Sequence, residues 1–324
     1  MKVIVPVAGV GTRLRPHTHS LPKPLFRVGG KAIIDHVLAP VLKLSPEEVI
    51  VVIGFLGELI REHVRANYRF NASFVDQDQL LGLGYALGTA LRSIDGGDLL
   101  VLLGDTIVEC DLEKFTRAGE NVLGVRKVED PLRFGIVTVE NGRVIGVEEK
   151  PEHPKSNLAL IGLYYFKDVR PLKKALERHL KSGKITHGEV QFTDALQLMI
   201  QDGIPFVPYE VTEWFDCGNK DTVLSTNRHL LTRLNQKPRL DHCAVVDPVF
   251  VDPAAQVTDS VIGPSVSIAE GCVIRNSIIR NSIIGPGTTI ENMIIEDSLV
   301  GNETTLRGTG RVFNIGHSSQ IDTA

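Results

Sequence analysis

No stretch of this 324-residue chain approaches the roughly 20 consecutive apolar residues that spanning a bilayer requires. The apolar opening is expected to be too short for a secretory signal, and Pro6 and the glycines beyond it interrupt it. Cysteine is scarce. Cys110, Cys217, Cys243 and Cys272 stand far apart without metal-ligand spacing, so they read as reduced packing residues. The formal charge is only −4 and there is no broad basic stripe, which argues against a nucleic-acid binder. The expectation is a cytoplasmic protein with neither a nucleic-acid nor a membrane partner. A composition 43% hydrophobic and 23% charged is that of an ordinary soluble chain, long enough for two domains with a core each.

One further absence is local. No aspartate or glutamate precedes Asp35, whereas Lys2, Arg13, Arg15, Lys23, Arg27 and Lys31 all fall within the first 34 residues. A short apolar strand, Val3 to Val7, runs into a loop carrying Gly9 and Gly11 and then into that positive charge. Small residues let backbone N–H groups approach a phosphate, and Arg and Lys neutralise its oxygens. A basic surface loop would look similar, but this string has more order. It lacks the spacing of a P-loop, and Arg13 and Leu14 stand where a dinucleotide fingerprint would continue towards its third glycine. Gly9, Gly11, Thr12, Arg13, Leu14, Pro16, Lys23 and Pro24 spell G-x-G-T-R-L-x-P followed by K-P. That string resembles the signature of sugar-1-phosphate nucleotidyltransferases. The resemblance implies that Ala8, Gly9, Gly11 and Thr12 contact a nucleotide, and that Arg13 and Lys23 stabilise departing pyrophosphate.

Helical patterns (Ala32 to Leu44, Leu56 to Tyr68, Leu83 to Ile94) alternate with apolar strand patterns (Glu48 to Ile53, Ala72 to Val75, Leu99 to Leu103). The alternation predicts a mostly parallel sheet with helices on both faces and ligands beyond the strands' carboxyl ends. Loops at Ala8, Gln77 and Gly104 would converge there. The Gln77 amide can both donate and accept, as the edge of a pyrimidine demands, although the loop could equally be a polar turn. The family places a Gln just ahead of a G-L-[AG]-x-A segment, which implies base recognition by Gln77 and Gly82, with Gln79 the neighbour that could be mistaken for it. Asp105 leaves a fully apolar strand, where a carboxylate must either cap a helix or hold a cation. The family's L-G-D motif implies the second, and Mg²⁺ accepts such hard oxygens together with substrate phosphates.

From Val122 the pattern turns β-rich. Phe134 to Val139 and Arg143 to Val147 alternate around Asn141-Gly142, a two-residue hairpin signal, and Leu158 to Phe166 reads as a further strand. Glu148-Glu149-Lys150-Pro151 could be a solvated edge, but it resembles the family's sugar-phosphate motif. The resemblance implies that Glu149 accepts bonds from sugar hydroxyls and Lys150 binds the phosphate. Gly135, Asn157 and Gly162 are further candidates. After a helix over Val169 to Lys181, Gly188 to Asp194 resembles G-E-x-x-x-T-D. Helix capping is expected to account for Thr193 and Asp194, which leaves Glu189 as a sugar contact. Trp214-Phe215-Asp216-Cys217-Gly218 resembles W-x-D-x-G, which makes Asp216 the second metal carboxylate, ahead of a helix over Lys220 to Leu234.

Beyond Asp241 helical periodicity vanishes. Ile262, Ile268, Ile274, Ile279, Ile284, Ile290, Ile295, Val300 and Leu306 recur at steps of five or six. One such repeat cannot bury a core alone, so coils must stack. The pattern resembles a short left-handed parallel β-helix of hexapeptide repeats, roughly four coils long. The expected fold is therefore α/β: a Rossmann-like nucleotidyltransferase domain with a mixed, mostly parallel sheet over 1–238, the β-helix over 239–310, and a tail over 311–324. The resemblance implies Mg²⁺-dependent transfer from a nucleoside triphosphate to a sugar 1-phosphate, with dTTP or UTP and glucose 1-phosphate favoured, and a homo-oligomer formed through the β-helix. The alternatives are a mannose-1-phosphate guanylyltransferase or a non-catalytic regulatory relative. A β-helix acyltransferase would need a general-base histidine at a subunit groove, and His242 and His317 flank the coils instead.

Overall fold

The structure, a computed structural model, describes residues 1–234, 236 and 238–308. The expected tail 311–324, with His317, lies outside the described residues. The chain forms two compact units. One is Met1–Arg27 with Lys31–Thr226, and the other joins Val28–Gly30 to the described residues from Asn227 onward.

The first unit is built on strands that are apolar beyond their first residue or from end to end. Val3 to Val5, Val49 to Ile53 and Leu99 to Val101 are all at most 1% exposed. Continuous rather than alternating burial is what a parallel strand covered on both faces requires. Lys2–Pro6 pairs in parallel with Leu99–Leu102 on one side and Glu48–Ile53 on the other, and Ala72–Asp76 follows at the edge. Ile4, Ile50, Val52 and Val101 pack with residues of the helices Leu83–Ala90, Val169–Ser182 and Phe192–Gln201. Val3, Val5, Val51 and Leu100 pack with residues of Ile33–Leu42 and Gly57–Asn67.

The sheet then becomes mixed. Leu158–Phe166 runs antiparallel to Leu99–Leu102, to Gly135–Glu140 and to Asn121–Lys127, with a register break between Leu160 and Tyr164. Gly135–Glu140 and Arg143–Glu149 form the expected hairpin, closed by Asn141 at φ 50° and Gly142 at φ 75°. Phe206–Glu210 completes the nine strands, in parallel with Asn121–Lys127. A separate ribbon pairs Thr106–Glu109 with Glu213–Asp216, and its register sets Asp216 opposite Thr106. The helix expected over Leu83 to Ile94 stops at Ala90 and tightens into a 3-10 turn, and the one from Lys220 ends at Leu231.

The second unit contains three parallel four-stranded sheets of very short strands, the architecture of a left-handed β-helix. In register, Val261–Ile262 stacks on Ile278–Arg280 and Ile294–Glu296, and equivalent stacks form the other two sides. Ile262, Ile268, Ile274, Ile279, Ile284 and Ile290 are each at most 1% exposed and make one continuous core. Each isoleucine is covered by the coils above and below, so no coil is stable singly. Asn276, Asn281 and Asn292 take left-handed backbone at corners, a conformation Asn tolerates better than other non-glycine residues.

Candidate active site

Two clefts open beyond the carboxyl ends of the parallel strands, one of about 520 Å³ and one of about 550 Å³. Arg13, Leu83, Leu103 and Asp105 line both, so the two meet at a guanidinium and a carboxylate.

The first cleft is organised by the opening loop. Val7 N–H donates to Val52 at 2.8 Å, and the chain then leaves the sheet. Gly11 takes left-handed backbone at φ 67° to enter the 3-10 turn Thr12–Leu14. Thr18, 1% exposed, donates its hydroxyl to the Gly11 carbonyl at 2.9 Å and so fixes the turn from behind. Ala8, Gly9, Gly11, Thr12, Arg13 and Lys23 all line this cleft. A Cβ on Gly9 would meet no atom of the described residues within 4 Å, which leaves space beside it for a ligand.

Lys23 is 6% exposed, and its Nζ donates to Asp105 Oδ2 at 2.7 Å. Asp105 caps no helix, because the chain continues into the strand Thr106–Glu109. Burial pushes its carboxyl up, but the charge and hydrogen bond of Lys23, with the Thr106 hydroxyl 3.2 Å from Oδ1, outweigh burial and hold it below the ordinary carboxylate value. Asp216, on the ribbon strand opposite, behaves in the reverse way. Burial and the neighbouring Asp105 charge raise its carboxyl despite the nearby Lys23, Arg13 and Arg133. A Cβ on Gly218 would lie 2.8 and 3.0 Å from the Asp216 oxygens and 3.2 Å from Arg13 Cζ. The Asp216 carboxylate and the Arg13 guanidinium therefore both border the space beside Gly218.

This pair of carboxylates fits a hard divalent cation. Asp216 is half-buried, receives no hydrogen bond from the described residues and is raised by burial, the state of a carboxylate short of positive charge. Among the described residues no cluster of three or more metal-ligating side chains exists. Two carboxylates are the protein share Mg²⁺ takes when substrate phosphates supply the remaining oxygens.

The base-side loop brings Gln77, Leu80 and Gly82 to the first cleft. The Gln77 amide is tethered by a bond to the Gln79 carbonyl at 2.7 Å, and the exposed Gln79 side chain does not line the cleft. Glu189, expected beside the sugar, lines this first cleft instead. Its segment docks on the loop through Val190 N–H to Leu81 at 2.7 Å and Gly84 N–H to Val190 at 2.9 Å.

The second cleft collects Gly135, Glu149, Lys150 and Gly162 with Asp105 and Asp216. Glu149 accepts the Thr193 hydroxyl at 3.1 Å and faces Lys150 Nζ at 3.7 Å. Lys150 holds left-handed backbone at φ 42°, strain of the kind that concentrates at binding sites. Thr193 and Asp194 are not caps. The helix begins at Phe192 with Gln191 at its N-cap, and Asp194 accepts from Lys184 at 2.6 Å and Thr186 at 2.7 Å. Asn157 is exposed and lines neither cleft, and its carbonyl is engaged by Val128 N–H at 2.9 Å.

Residues to which sequence reasoning gave no site role also line the second cleft, among them Arg133, Phe134, Thr193 and Trp214. Phe134 and Trp214 stack edge to face at 5.1 Å, and the buried Trp214 Nε1 has no hydrogen-bond partner among the described residues. A buried indole N–H normally finds an acceptor. The one signal available for Trp214 was its place two residues before Asp216, and nothing local marked Arg133.

Three comparisons bear on this geometry. The Nucleotidyl transferase family model matches residues 2–233. The glucose-1-phosphate thymidylyltransferase of Streptomyces griseus is 30% identical over 320 residues, spanning 89% of this chain and 88% of that protein. The bifunctional protein GlmU of Methanococcus aeolicus is 32% identical over 244 residues, which cover 72% of this chain and 55% of that one. Among solved structures, a UDP-glucose pyrophosphorylase from Acinetobacter baumanii superimposes with a TM-score of 0.61 at 25% identity, covering 72% of this chain and 94% of its own.

Proposed function

The chain belongs to the sugar-1-phosphate nucleotidyltransferase family, and on that premise we propose that it joins glucose 1-phosphate to dTTP or UTP, giving a nucleotide-glucose and pyrophosphate. The observation that carries this reading is the pair of adjoining clefts that share Arg13 and Asp105. A triphosphate lying along the glycine loop and a sugar phosphate beside Glu149 and Lys150 would meet at that junction.

The acceptor is already an oxyanion, so no protein base or nucleophile is needed. One of its phosphate oxygens attacks the α-phosphorus, the bond to the β-phosphate oxygen breaks, and pyrophosphate leaves opposite the entering oxygen. The protein's share is positioning and charge. Backbone N–H groups around Gly9 and Gly11, with Thr12, cradle the triphosphate. Arg13 and Lys23 balance the charge that builds on the leaving pyrophosphate. Gln77 reads the base edge, and Gly82 lines the same cleft. Glu149 accepts from sugar hydroxyls, Lys150 aligns the attacking phosphate, and Gly135 and Gly162 line the cleft that takes the ring. Mg²⁺ held by Asp105 and Asp216 supplies charge neutralisation at the phosphates when bound.

A homo-oligomer formed through the β-helix fits a domain that has no cluster of three or more metal-ligating side chains among its described residues. His242 there is exposed and sits 3.3 Å from Asp259, which gives acyl transfer no support. A cytoplasmic setting agrees with four free cysteines, and no described helix is long and apolar enough to cross a membrane.

The test is pyrophosphate release with Mg²⁺, glucose 1-phosphate and each common nucleoside triphosphate in turn, with mannose and N-acetylglucosamine 1-phosphates as alternative acceptors. Turnover that requires both substrates and prefers dTTP or UTP is expected. Preference for GTP with mannose 1-phosphate would replace the assignment, and no release from folded protein would favour the non-catalytic relative.

A further inference from the structure

The second cleft is walled by three cations, Arg13, Arg133 and Lys150, and three carboxylates, Asp105, Glu149 and Asp216. Lys150 lies 3.7 Å from Glu149, whereas Arg133 is exposed and makes no ion pair among the described residues. The Arg133 guanidinium is nevertheless not adrift. Asp130 accepts Leu132 N–H at 3.3 Å and sets the 3-10 turn Pro131–Arg133. The guanidinium carbon lies 5.8 Å from the Phe134 ring, and that ring is braced edge to face by Trp214. Lys150 N–H donates to the Phe134 carbonyl at 3.0 Å, and the register next to it sets Glu149 opposite Gly135. Arg133 and Lys150 therefore leave adjacent, hydrogen-bonded segments and line the same cleft.

Such a pair suits a doubly charged, tetrahedral group. An arginine fork can grip two phosphate oxygens at once while a lysine acts as a point charge. Without Arg133 the wall would hold one more negative than positive charge, against a ligand that is itself a dianion. We propose that Arg133 is a second anchor for the acceptor substrate: its guanidinium binds the phosphate of the sugar 1-phosphate opposite Lys150 and fixes which oxygen faces the nucleotide. The assignment rests on the transferase reading above, and names a residue that acts on the acceptor alone.

Trp214 is the chain's only tryptophan and lines this cleft, so its fluorescence reports acceptor binding without turnover. The wild type, Arg133→Gln and Arg133→Lys would each be titrated with glucose 1-phosphate and, separately, with glucose. In Arg133→Gln, affinity for glucose 1-phosphate should fall about tenfold to a hundredfold, as expected for one charge-assisted contact, while affinity for glucose stays unchanged. Arg133→Lys should recover part of the loss. In steady state the KM for the sugar phosphate should rise and the KM for the nucleotide should not. Equal loss for glucose and glucose 1-phosphate would show that Arg133 only props Phe134 and would overturn the assignment, as would unchanged binding of glucose 1-phosphate. A wild type that neither responds to any sugar 1-phosphate nor turns over would remove the transferase reading, and this assignment with it.

Discussion

A single methyl group placed at Gly218 tests whether the junction of the two clefts is where the chemistry happens. Gly218 is buried and its backbone is not left-handed, so alanine imposes no conformational strain. The new Cβ would lie 2.8 and 3.0 Å from the two Asp216 oxygens and 3.2 Å from Arg13 Cζ. Carbon–oxygen contacts settle at about 3.3–3.6 Å, so the carboxylate must retreat by roughly 0.5 Å and carry its orientation with it. Catalytic groups tolerate about 0.5 Å of displacement, and a 1 Å error costs on the order of a hundredfold. Gly218→Ala should therefore lower kcat for pyrophosphate release about tenfold to a hundredfold, or roughly 1.4–2.7 kcal/mol of barrier. Because a short side chain yields rather than the backbone, Tm should stay within about 3 °C of wild type. Gly9→Ala is the companion. Its Cβ meets no atom of the described residues within 4 Å, so it should leave Tm alone and raise the nucleotide KM, because the space it fills is the one proposed for the ligand. A Gly218→Ala enzyme with wild-type kcat and Tm would refute the placement of Asp216 and Arg13 at the reacting phosphates.

Lys23→Met keeps the buried stem but strips Asp105 of its 2.7 Å partner. We expect about 1–3 kcal/mol of lost stability in urea melts and a fall in kcat of about a hundredfold or more, and full activity would contradict the leaving-group role. Asp35 is pushed up by burial, but bonds from His63, Tyr68 and the Ala32 N–H outweigh burial and lower its carboxyl. A lowered carboxyl stabilises the fold at pH above its unfolded value of about 3.9, and that stability drains away as pH falls through the folded value. Asp35→Asn should thus be less stable than wild type at pH 7, with the gap closing below about pH 4; a gap of equal size at pH 3 would count against this. Removing the chain after Leu240 should change oligomeric state, read by light scattering, more than it changes kcat. Retention of the same assembly would argue against an oligomer built on the β-helix.

Much of this architecture could be read from the residues because it is local. Val49 to Ile53 and Leu158 to Phe166 are runs without a charged residue, and both lie in strands. The isoleucines of the last domain recur at the spacing of the coil, and they stack as one core. What escaped was set by contacts distant in sequence. Thr193 looks like a helix cap from its neighbours alone, but it is spent on Glu149, which only the fold brings near. Glu189 was expected at the sugar because of its motif, and the bridge between Thr186 and Glu189 and the docking of Val190 on Leu81, contacts no motif announces, set it in the lining of the first cleft. Arg133 sits in no recognisable pattern. Its relevance comes from the Phe134–Lys150 hydrogen bond, which no spacing in the sequence announces.

The central claim is that two substrates held in adjoining clefts react directly, with no covalent nucleotidyl-enzyme between them. The most direct test is the stereochemical course at phosphorus, using a nucleoside triphosphate made chiral by sulfur at the α-phosphate and glucose 1-phosphate as acceptor. One in-line displacement predicts inversion in the nucleotide-sugar formed. Retention would mean two displacements and a protein nucleophile, and would contradict the account.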